Sequence, residues 1–194
     1  MFYPGGSKKN ALTNKKNIIY ANRGMGLENL INESNEFYLE KDIAVIYKKP
    51  TPITISEVKY GEKERVITKA YFRTPSTLDY NGIYKGKYID FEAKETKSTT
   101  SFALSNIHNH QIEHLKRINY HGGIGFVIIR FVKLDKTFLL FISDLINFID
   151  TNKRASIPVS YFEEKGYLIK EGLRPRLDYL KIIDMEGVKY EKKD

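Results

Sequence analysis

The sequence predicts an α/β fold with a mixed central sheet flanked by helices. Three observations support this: a helical pattern comes first, strand-like apolar runs follow, and a second helical pattern precedes a further pair of apolar runs. The length of 194 residues predicts one domain with a sizeable core, and the 41% of hydrophobic residues is that of a globular protein.

The charge balance favours a polyanionic partner. The net charge is +8 and the sequence pI is about 9.4, and nucleic acid is the commonest ligand of such proteins. The chain has no cysteine, which excludes disulfides and a zinc–thiolate site. It has no apolar run near the roughly 20 residues that span a bilayer, and its basic start lacks an apolar core. We expect a cytoplasmic protein without membrane partners.

The two ends of the chain differ in composition from its middle. Residues 1–20 are polar and basic and predict a flexible arm, which is either a plain disordered tail or a strand that follows a phosphate backbone. Residues 21–185 form the expected domain, and residues 186–194 are expected to be a frayed tail.

The first element is a helix over Asn22–Lys41, with Asn22 as its N-cap. Arg23 and Glu28 lie near its start. Its apolar stripe recurs at helical spacing and consists of Leu27, Leu30, Ile31, Ser34 and Tyr38.

A short strand, Ile43–Tyr47, is followed by a long hairpin inserted over residues 47–75. β-Branched and aromatic residues in Ile53–Val58 and Arg65–Phe72 flank a turn at 60–63. A hairpin charged on both faces cannot be buried on both, so it either projects from the body or is an ordinary solvated hairpin protected by lysines. The candidate DNA contacts on and beside it are Lys48, Lys49, Lys59, Lys63, Arg65, Lys69 and Arg73.

The segment Ser76–Thr96 carries the candidate chemistry. It predicts a strand from Ile83 or Tyr88 to Lys94, with a turn at Lys85–Lys87, and strand alternation puts Glu92 and Lys94 on one face. With Asp79 in the preceding turn, the two carboxylates and the ammonium suit a magnesium ion, a water and a phosphodiester. The same spacing also fits a solvated strand face with an ion pair.

Asp90 shares the face of Glu92 by the same alternation. It could be a metal ligand, an acceptor for a metal-bound water, or a structural acid paired with a lysine. A supporting role is favoured.

A second helix is expected from Ser105, as its cap, to Tyr120. Gln111 interrupts its apolar stripe, so it either faces something polar or bonds a backbone group. Four histidines lie in this region. Two of them, one helical turn apart, could bind zinc; alternatively the histidines could contact phosphate or simply lie on the surface. The carboxylates already suit magnesium, so surface or phosphate contact is favoured for His108, His110, His114 and His121.

The last third of the chain predicts a buried strand pair, Gly125–Val132 and Thr137–Ile142. A short helix over Ser143–Asp150, a weaker one after Pro158 and a final strand or helix over Leu177–Ile183 follow.

Four segments resemble the RecU family, the Holliday junction resolvases of Gram-positive bacteria and mollicutes. They are Ala21–Leu39, Ile43–Pro52, Ser76–Leu104 and His108–Leu115, and the resemblance continues to Tyr179 in GLRPRLDYL. It implies a restriction-endonuclease-like core with a projecting β-hairpin stalk. It also implies a homodimer that nicks four-way DNA junctions in recombination and repair. The implied cofactor is Mg²⁺, for which Mn²⁺ can substitute.

The resemblance also assigns residues. It implies that Lys94 stabilises the transition state and that Arg23 and Glu28 lie near the active site. It implies a metal site of Thr77, Asp79, Glu92 and Gln111. A strand-exchange recombinase and a branch-migration motor are the implied protein partners.

Three other functions remain open from the residues. One is an endonuclease of the same fold that cuts ordinary duplex DNA. A second is a non-catalytic DNA-binding or strand-annealing protein, and a third is an RNA nuclease.

Overall fold

The computed structural model describes residues 26–61, 64–72 and 78–191, with 186–191 as backbone alone. Several expectations therefore lie outside the described residues. They are the N-terminal arm, the cap at Asn22 and the site candidates Arg23, Lys63, Arg73 and Thr77.

The body is built on a six-stranded mixed sheet, as expected, with the order β1-β4-β5-β7-β8-β10. Among the described strands of this sheet, β5 and β7 pair in parallel and the other neighbours pair antiparallel. The strands in chain order are β1 (Val45–Lys48), β2 (Ile53–Tyr60), β3 (Arg65–Phe72), β4 (Tyr80–Tyr84), β5 (Lys87–Thr96), β6 (Ser101–Ala103), β7 (Ile124–Phe131), β8 (Lys136–Phe141), β9 (Ser156–Pro158) and β10 (Tyr167–Ile169).

Helices cover the sheet from both sides. They are α1 (Leu27–Glu40), α2 (Asn109–Tyr120), α3 (Ile142–Thr151), α4 (Val159–Lys165) and α5 (Leu180–Glu191). Residues of α1 and α5 form one core with Phe91 and Phe126 of the sheet. Residues of α2, α3 and α4 form the other with Val127 and Ile129, which point the opposite way along β7.

The hairpin β2–β3 is a separate two-stranded sheet. All the side chains described in it are exposed apart from the half-buried Val58. The hairpin therefore contributes almost nothing to either core, and the expectation that it projects from the body agrees with this exposure.

The hairpin β4–β5 turns where the sequence predicts. Lys85 and Gly86 have φ angles of 47° and 76°, as a two-residue turn with both central residues left-handed requires.

In the middle of β4, Gly82 lies against β1: a Cβ there would stand 2.1 Å from the carbonyl oxygen of Val45. This close approach fixes β1 beside the start of β4.

Several predicted boundaries are wrong. Ser105 does not cap a helix: it lies in a 3₁₀ turn, Leu104–Asn106, and α2 begins at Asn109 with His108 as N-cap. The final element is the helix α5, which extends to Glu191 into the segment expected to be frayed. The sequence did not predict the three-residue strands β6, β9 and β10. No helix in the described part of the chain is long and apolar enough to cross a bilayer.

Candidate active site

The two faces of β5 carry different chemistry. Phe91 stacks between Tyr80 and Phe126 at centroid distances of 4.9 and 4.7 Å, so one face is aromatic core. Asp90 and Glu92 lie on the other face and are fully buried. Because a buried charge is costly unless it is paired, these two carboxylates need partners, and each has a different one.

Asp79 is held at the point where β4 begins. Its Oδ2 accepts a hydrogen bond of 3.2 Å from the backbone N–H of Ala93, and its own carbonyl accepts one of 2.7 Å from Lys49 N–H. Tyr80 pairs with Phe91, so the next residue outward lies beside Glu92. Two backbone contacts and the strand register thus bring Asp79 to Glu92 across thirteen residues of sequence.

Glu92 and Lys94 form the predicted same-face pair. Lys94 Nζ lies 2.6 Å from Glu92 Oε1, and the lysine side chain is 31% exposed. Neither Glu92 oxygen has a hydrogen-bond partner of suitable geometry among the described residues. Burial raises the pKa of the Glu92 carboxyl above its ordinary value, the nearby Lys94 ammonium opposes the rise, and the charge of Asp79 adds to it. A cation bound there would relieve both unfavourable effects.

Gln111 faces the same site from α2 and is 6% exposed. Its Oε1 accepts a hydrogen bond of 3.0 Å from the backbone N–H of His108 and so closes the start of the helix. This is the backbone-bonded arrangement that the sequence left open. A carbonyl oxygen has two lone pairs, so the same atom retains a site for a second partner.

Asp90 is the most fully partnered acid of the face. Lys49 Nζ lies 2.8 Å from both of its oxygens, and Tyr88 Oη and His114 Nε2 lie 3.1 and 2.9 Å from Oδ2. It is therefore an acid paired with a lysine, one of the three roles considered. His114 also differs from the favoured interpretation, since it reaches a buried carboxylate instead of lying free on the surface.

An open cleft of about 430 Å³ lies beside these residues. Lys48 and Lys49 line it and do not lie on the hairpin strands. Lys48 pairs with Glu28 and Lys49 with Asp90. The cleft is also bordered by Asp79, Lys94 and Glu95.

The start of α1 forms one wall of the cleft. Glu95 Oε1 accepts a hydrogen bond of 2.7 Å from the backbone N–H of Leu27 and caps the helix from β5. No pattern in the sequence marks Glu95, because this contact joins residues 68 positions apart. The one available signal was the residue before the helix: Gly26 is the N-cap and has no side chain to accept a hydrogen bond. A helix predicted to begin at Leu27 would therefore have needed a cap from elsewhere in the chain.

Two further sets of residues considered from the sequence are the cations of the hairpin and the histidines near α2. Lys59, Arg65 and Lys69 lie on the exposed hairpin, where Arg65 stands over the Tyr60 ring at 5.7 Å. His108 and His110 stack on each other at 5.5 Å.

The donor set fits magnesium better than zinc. Among the residues that the structure describes, no three His, Asp or Glu side chains cluster to hold a metal. Asp79 and Glu92 offer carboxylate oxygens, and no described residue makes a well-aligned hydrogen bond to the two buried oxygens of Glu92. Magnesium prefers oxygen ligands, keeps several waters and needs only one or two carboxylates, so this arrangement suits it.

A sequence model of the family described as RecU, Recombination protein U, matches residues 22–185. The chain belongs to the RecU family. It is 48% identical over 192 residues to the Holliday junction resolvase RecU of Bacillus cytotoxicus, covering 94% of this chain and 96% of that protein. The RecU of Pediococcus pentosaceus, also called a Holliday junction resolvase, is 51% identical over 193 residues, covering 94% and 95%.

Solved structures also match this RecU family member, and one of them is described as a resolvase. Hjc of Archaeoglobus fulgidus, a Holliday junction resolvase, matches with a TM-score of 0.39 and 12% identity over 71% of this chain and 94% of Hjc.

Proposed function

We propose that this protein is a magnesium-dependent endonuclease that resolves four-way DNA junctions by paired symmetric nicks. The observation that carries the proposal is the buried Glu92, to which no described residue makes a well-aligned hydrogen bond, beside Lys94 and Asp79 at an open cleft. Relatives that share about half of its residues over nearly their whole length are named Holliday junction resolvases.

Asp79 and Glu92 would hold the metal, with Gln111 Oε1 and Thr77 completing the protein ligands. Magnesium would supply charge neutralisation at the scissile phosphate and a more acidic water. Lys94 extends from the buried Glu92 toward the cleft and is partly exposed, so it can donate to a phosphate oxygen or to the attacking water. Burial of Glu92 excludes bulk water from the ligand side and strengthens both interactions.

The neighbouring charges suit a phosphodiester backbone. Lys48 and Lys49 line the cleft, and each has a carboxylate partner that fixes its position. Glu28 therefore supports the site by holding Lys48, and Arg23 belongs with it by family resemblance.

Junction selection belongs to the hairpin and to a two-fold dimer. A symmetric pair of active sites matches the two equivalent strands of a four-way junction, so paired nicks follow when both sites engage. The exposed Lys59, Arg65 and Lys69, with Lys63 and Arg73, would read the shape of the junction. A strand-exchange recombinase and a branch-migration motor are the proposed protein partners.

One observation favours a second activity beside nicking. Tyr60, Tyr71 and Phe72 are exposed on the basic hairpin at 73%, 55% and 83%. Aromatic side chains beside cations stack on unpaired bases, so the hairpin could also bind or anneal single strands without cleaving them.

The test is cleavage of a labelled synthetic four-way junction, a linear DNA duplex of the same sequence and a matching RNA. With Mg²⁺ or Mn²⁺ we expect symmetric nicks in the junction alone. Binding without cleavage would support the annealing function instead, and site-specific cuts in the linear duplex would support an ordinary endonuclease.

Metal removal supplies the internal control. A chelator should abolish nicking, and added Mg²⁺ should restore it, because the carboxylate pair alone does not supply a Lewis acid. Glu92→Gln should behave like the chelated protein while keeping the shape of the side chain. Full activity in the presence of chelator would contradict the metal site.

A further inference from the structure

Asp90 is buried, does not line the cleft and contacts three separate segments of the chain. Lys49 follows β1, Tyr88 and Asp90 lie in β5, and His114 lies in α2. This carboxylate contacts one ammonium with both oxygens and two further polar groups, which makes four contacts for a group with about four acceptor sites. We propose that Asp90 is the positioning residue of the nuclease site, acting through Lys49 on Asp79; this rests on the proposed function.

The first step from Asp90 toward Asp79 is the bidentate contact of Asp90 to Lys49. The Nζ–Oδ distances are both 2.8 Å, the lysine side chain is only 15% exposed, and Asp90 is fully buried. A charge pair in this environment has defined geometry, since the surroundings leave neither side chain much freedom. The lysine is thus anchored at its tip.

The second step is the contact of Lys49 to Asp79. The backbone N–H of Lys49 donates a 2.7 Å hydrogen bond to the carbonyl oxygen of Asp79. Lys49 is therefore held at both ends, by Asp90 at its ammonium and by Asp79 at its amide. Lys49 thus fixes the backbone of Asp79, while Ala93 N–H holds its Oδ2, so both contacts together set the carboxylate opposite Glu92.

The third step is α2. His114 Nε2 lies 2.9 Å from Asp90 Oδ2, and Gln111 is one helical turn before it. Residues three apart share a helix face, so the histidine contact fixes the rotation of α2 that points Gln111 at the site. One carboxylate thus aligns the supports of both Asp79 and Gln111 without itself being a ligand.

The test uses the full-length protein with Asp90→Asn, Lys49→Met and the double variant. Asparagine has nearly the same shape but no charge to hold the ammonium. We expect the single-turnover nicking rate at saturating Mg²⁺ to fall about 10- to 100-fold, the size typical of residues that orient metal ligands. Junction Kd should stay unchanged in Asp90→Asn, which keeps the cleft-lining Lys49 in place as a DNA contact. The double variant should be no slower than either single variant, because both break one chain of contacts.

A second readout does not depend on cleavage. Hydrogen exchange of the Lys49 amide should become faster in Asp90→Asn, because Lys49 is no longer anchored at its ammonium and its amide hydrogen bond to Asp79 opens more often. Asp184→Asn is the matched control: Asp184 accepts from Lys85 Nζ at 2.7 Å and from Tyr84 Oη at 2.8 Å, at the opposite end of β4. It should change neither exchange at Lys49 nor nicking. Lys49→Met gives the same test if Asp90→Asn fails to fold.

Several outcomes would overturn the inference. Normal nicking in Asp90→Asn would do so, as would additive losses in the double variant. Unchanged exchange at Lys49, together with a higher Mg²⁺ requirement, would make Asp90 a metal ligand. If the wild-type protein nicks no junction, the proposed function fails, and the exchange experiment alone still decides whether Asp90 positions Asp79.

Discussion

The cleft region and the hairpin both carry charged residues, but these are buried and paired beside the cleft and exposed on the hairpin. Behind the cleft, Asp90 and Glu92 are fully buried, and each has a lysine Nζ within 2.8 Å that belongs to the cleft lining. On the hairpin, lysines, an arginine and large aromatic side chains stand in solvent, with Phe72 83% exposed. Contacts within the folded body fix the side chains of the first region, whereas the described residues bury almost none of the second.

The difference shows where preorganisation and recognition lie. Buried, paired charges keep their geometry before DNA arrives, which is what a preorganised catalytic site requires. Exposed apolar and basic surface on a thin hairpin is instead typical of a surface that is completed by a ligand. We therefore assign chemistry to the cleft and shape selection to the hairpin, and the predictions below separate the two.

The largest expected effect is on chemistry. Lys94→Ala should lower the single-turnover nicking rate about 10²–10³-fold, the loss typical of a preorganised stabiliser of transition-state charge. Junction binding should remain nearly intact, because a single partly exposed lysine is a small part of a large charged interface. Quenched-flow cleavage and a gel-shift assay measure the two quantities.

Lys136→Ala serves as the control, since Lys136 also pairs with a glutamate, 2.6 Å away, but outside the cleft. It should leave the rate unchanged. Equal losses of rate and affinity in Lys94→Ala would remove its catalytic assignment.

The next effect is on stability and uses two isoleucines. Ile46 on β1 is 2% exposed and Ile55 on the hairpin is 49% exposed. Ile46→Ala should lower the free energy of unfolding by about 2–5 kcal/mol, because it leaves a cavity. Ile55→Ala should change it by at most about 0.5 kcal/mol. Denaturant titration measures both, and similar losses would mean that the hairpin packs against the body after all.

The smallest effect is on binding. The double variant Lys59→Ala, Arg65→Ala should weaken junction binding more than linear duplex binding. If both side chains contact phosphates, the salt dependence of log K should fall in slope by about 2. A double variant of Lys116 and Lys136, both on the body, is the control. An equal loss for junction and duplex would refute shape selection by the hairpin.

Local patterns predicted much of this molecule. Alternation along β5 placed Glu92 beside Lys94, and the turn at Lys85–Gly86 and the charged hairpin were also foreseen. These features depend on neighbours in sequence, where residue spacing directly sets which side chains share a face. The boundaries of β7 and β8 follow for the same reason, since long apolar runs are unambiguous.

What the sequence could not predict depends on distant contacts. Glu95 caps α1 from 68 residues away, and Lys49 meets Asp90 across 41. No spacing rule connects such pairs, so Lys49 was grouped with the hairpin residues. The strands β6, β9 and β10 have three residues each, too few to show a period of two.

The most direct test of the division between the two regions measures nicking rate and junction affinity side by side in Lys94→Ala and in the double variant of Lys59 and Arg65. We expect crossed defects. The first variant should bind junctions normally and nick them slowly. The second should bind them weakly and, once saturated, nick them at the wild-type rate. If both variants lose rate and affinity together, the cleft and the hairpin act as one site and the account is wrong.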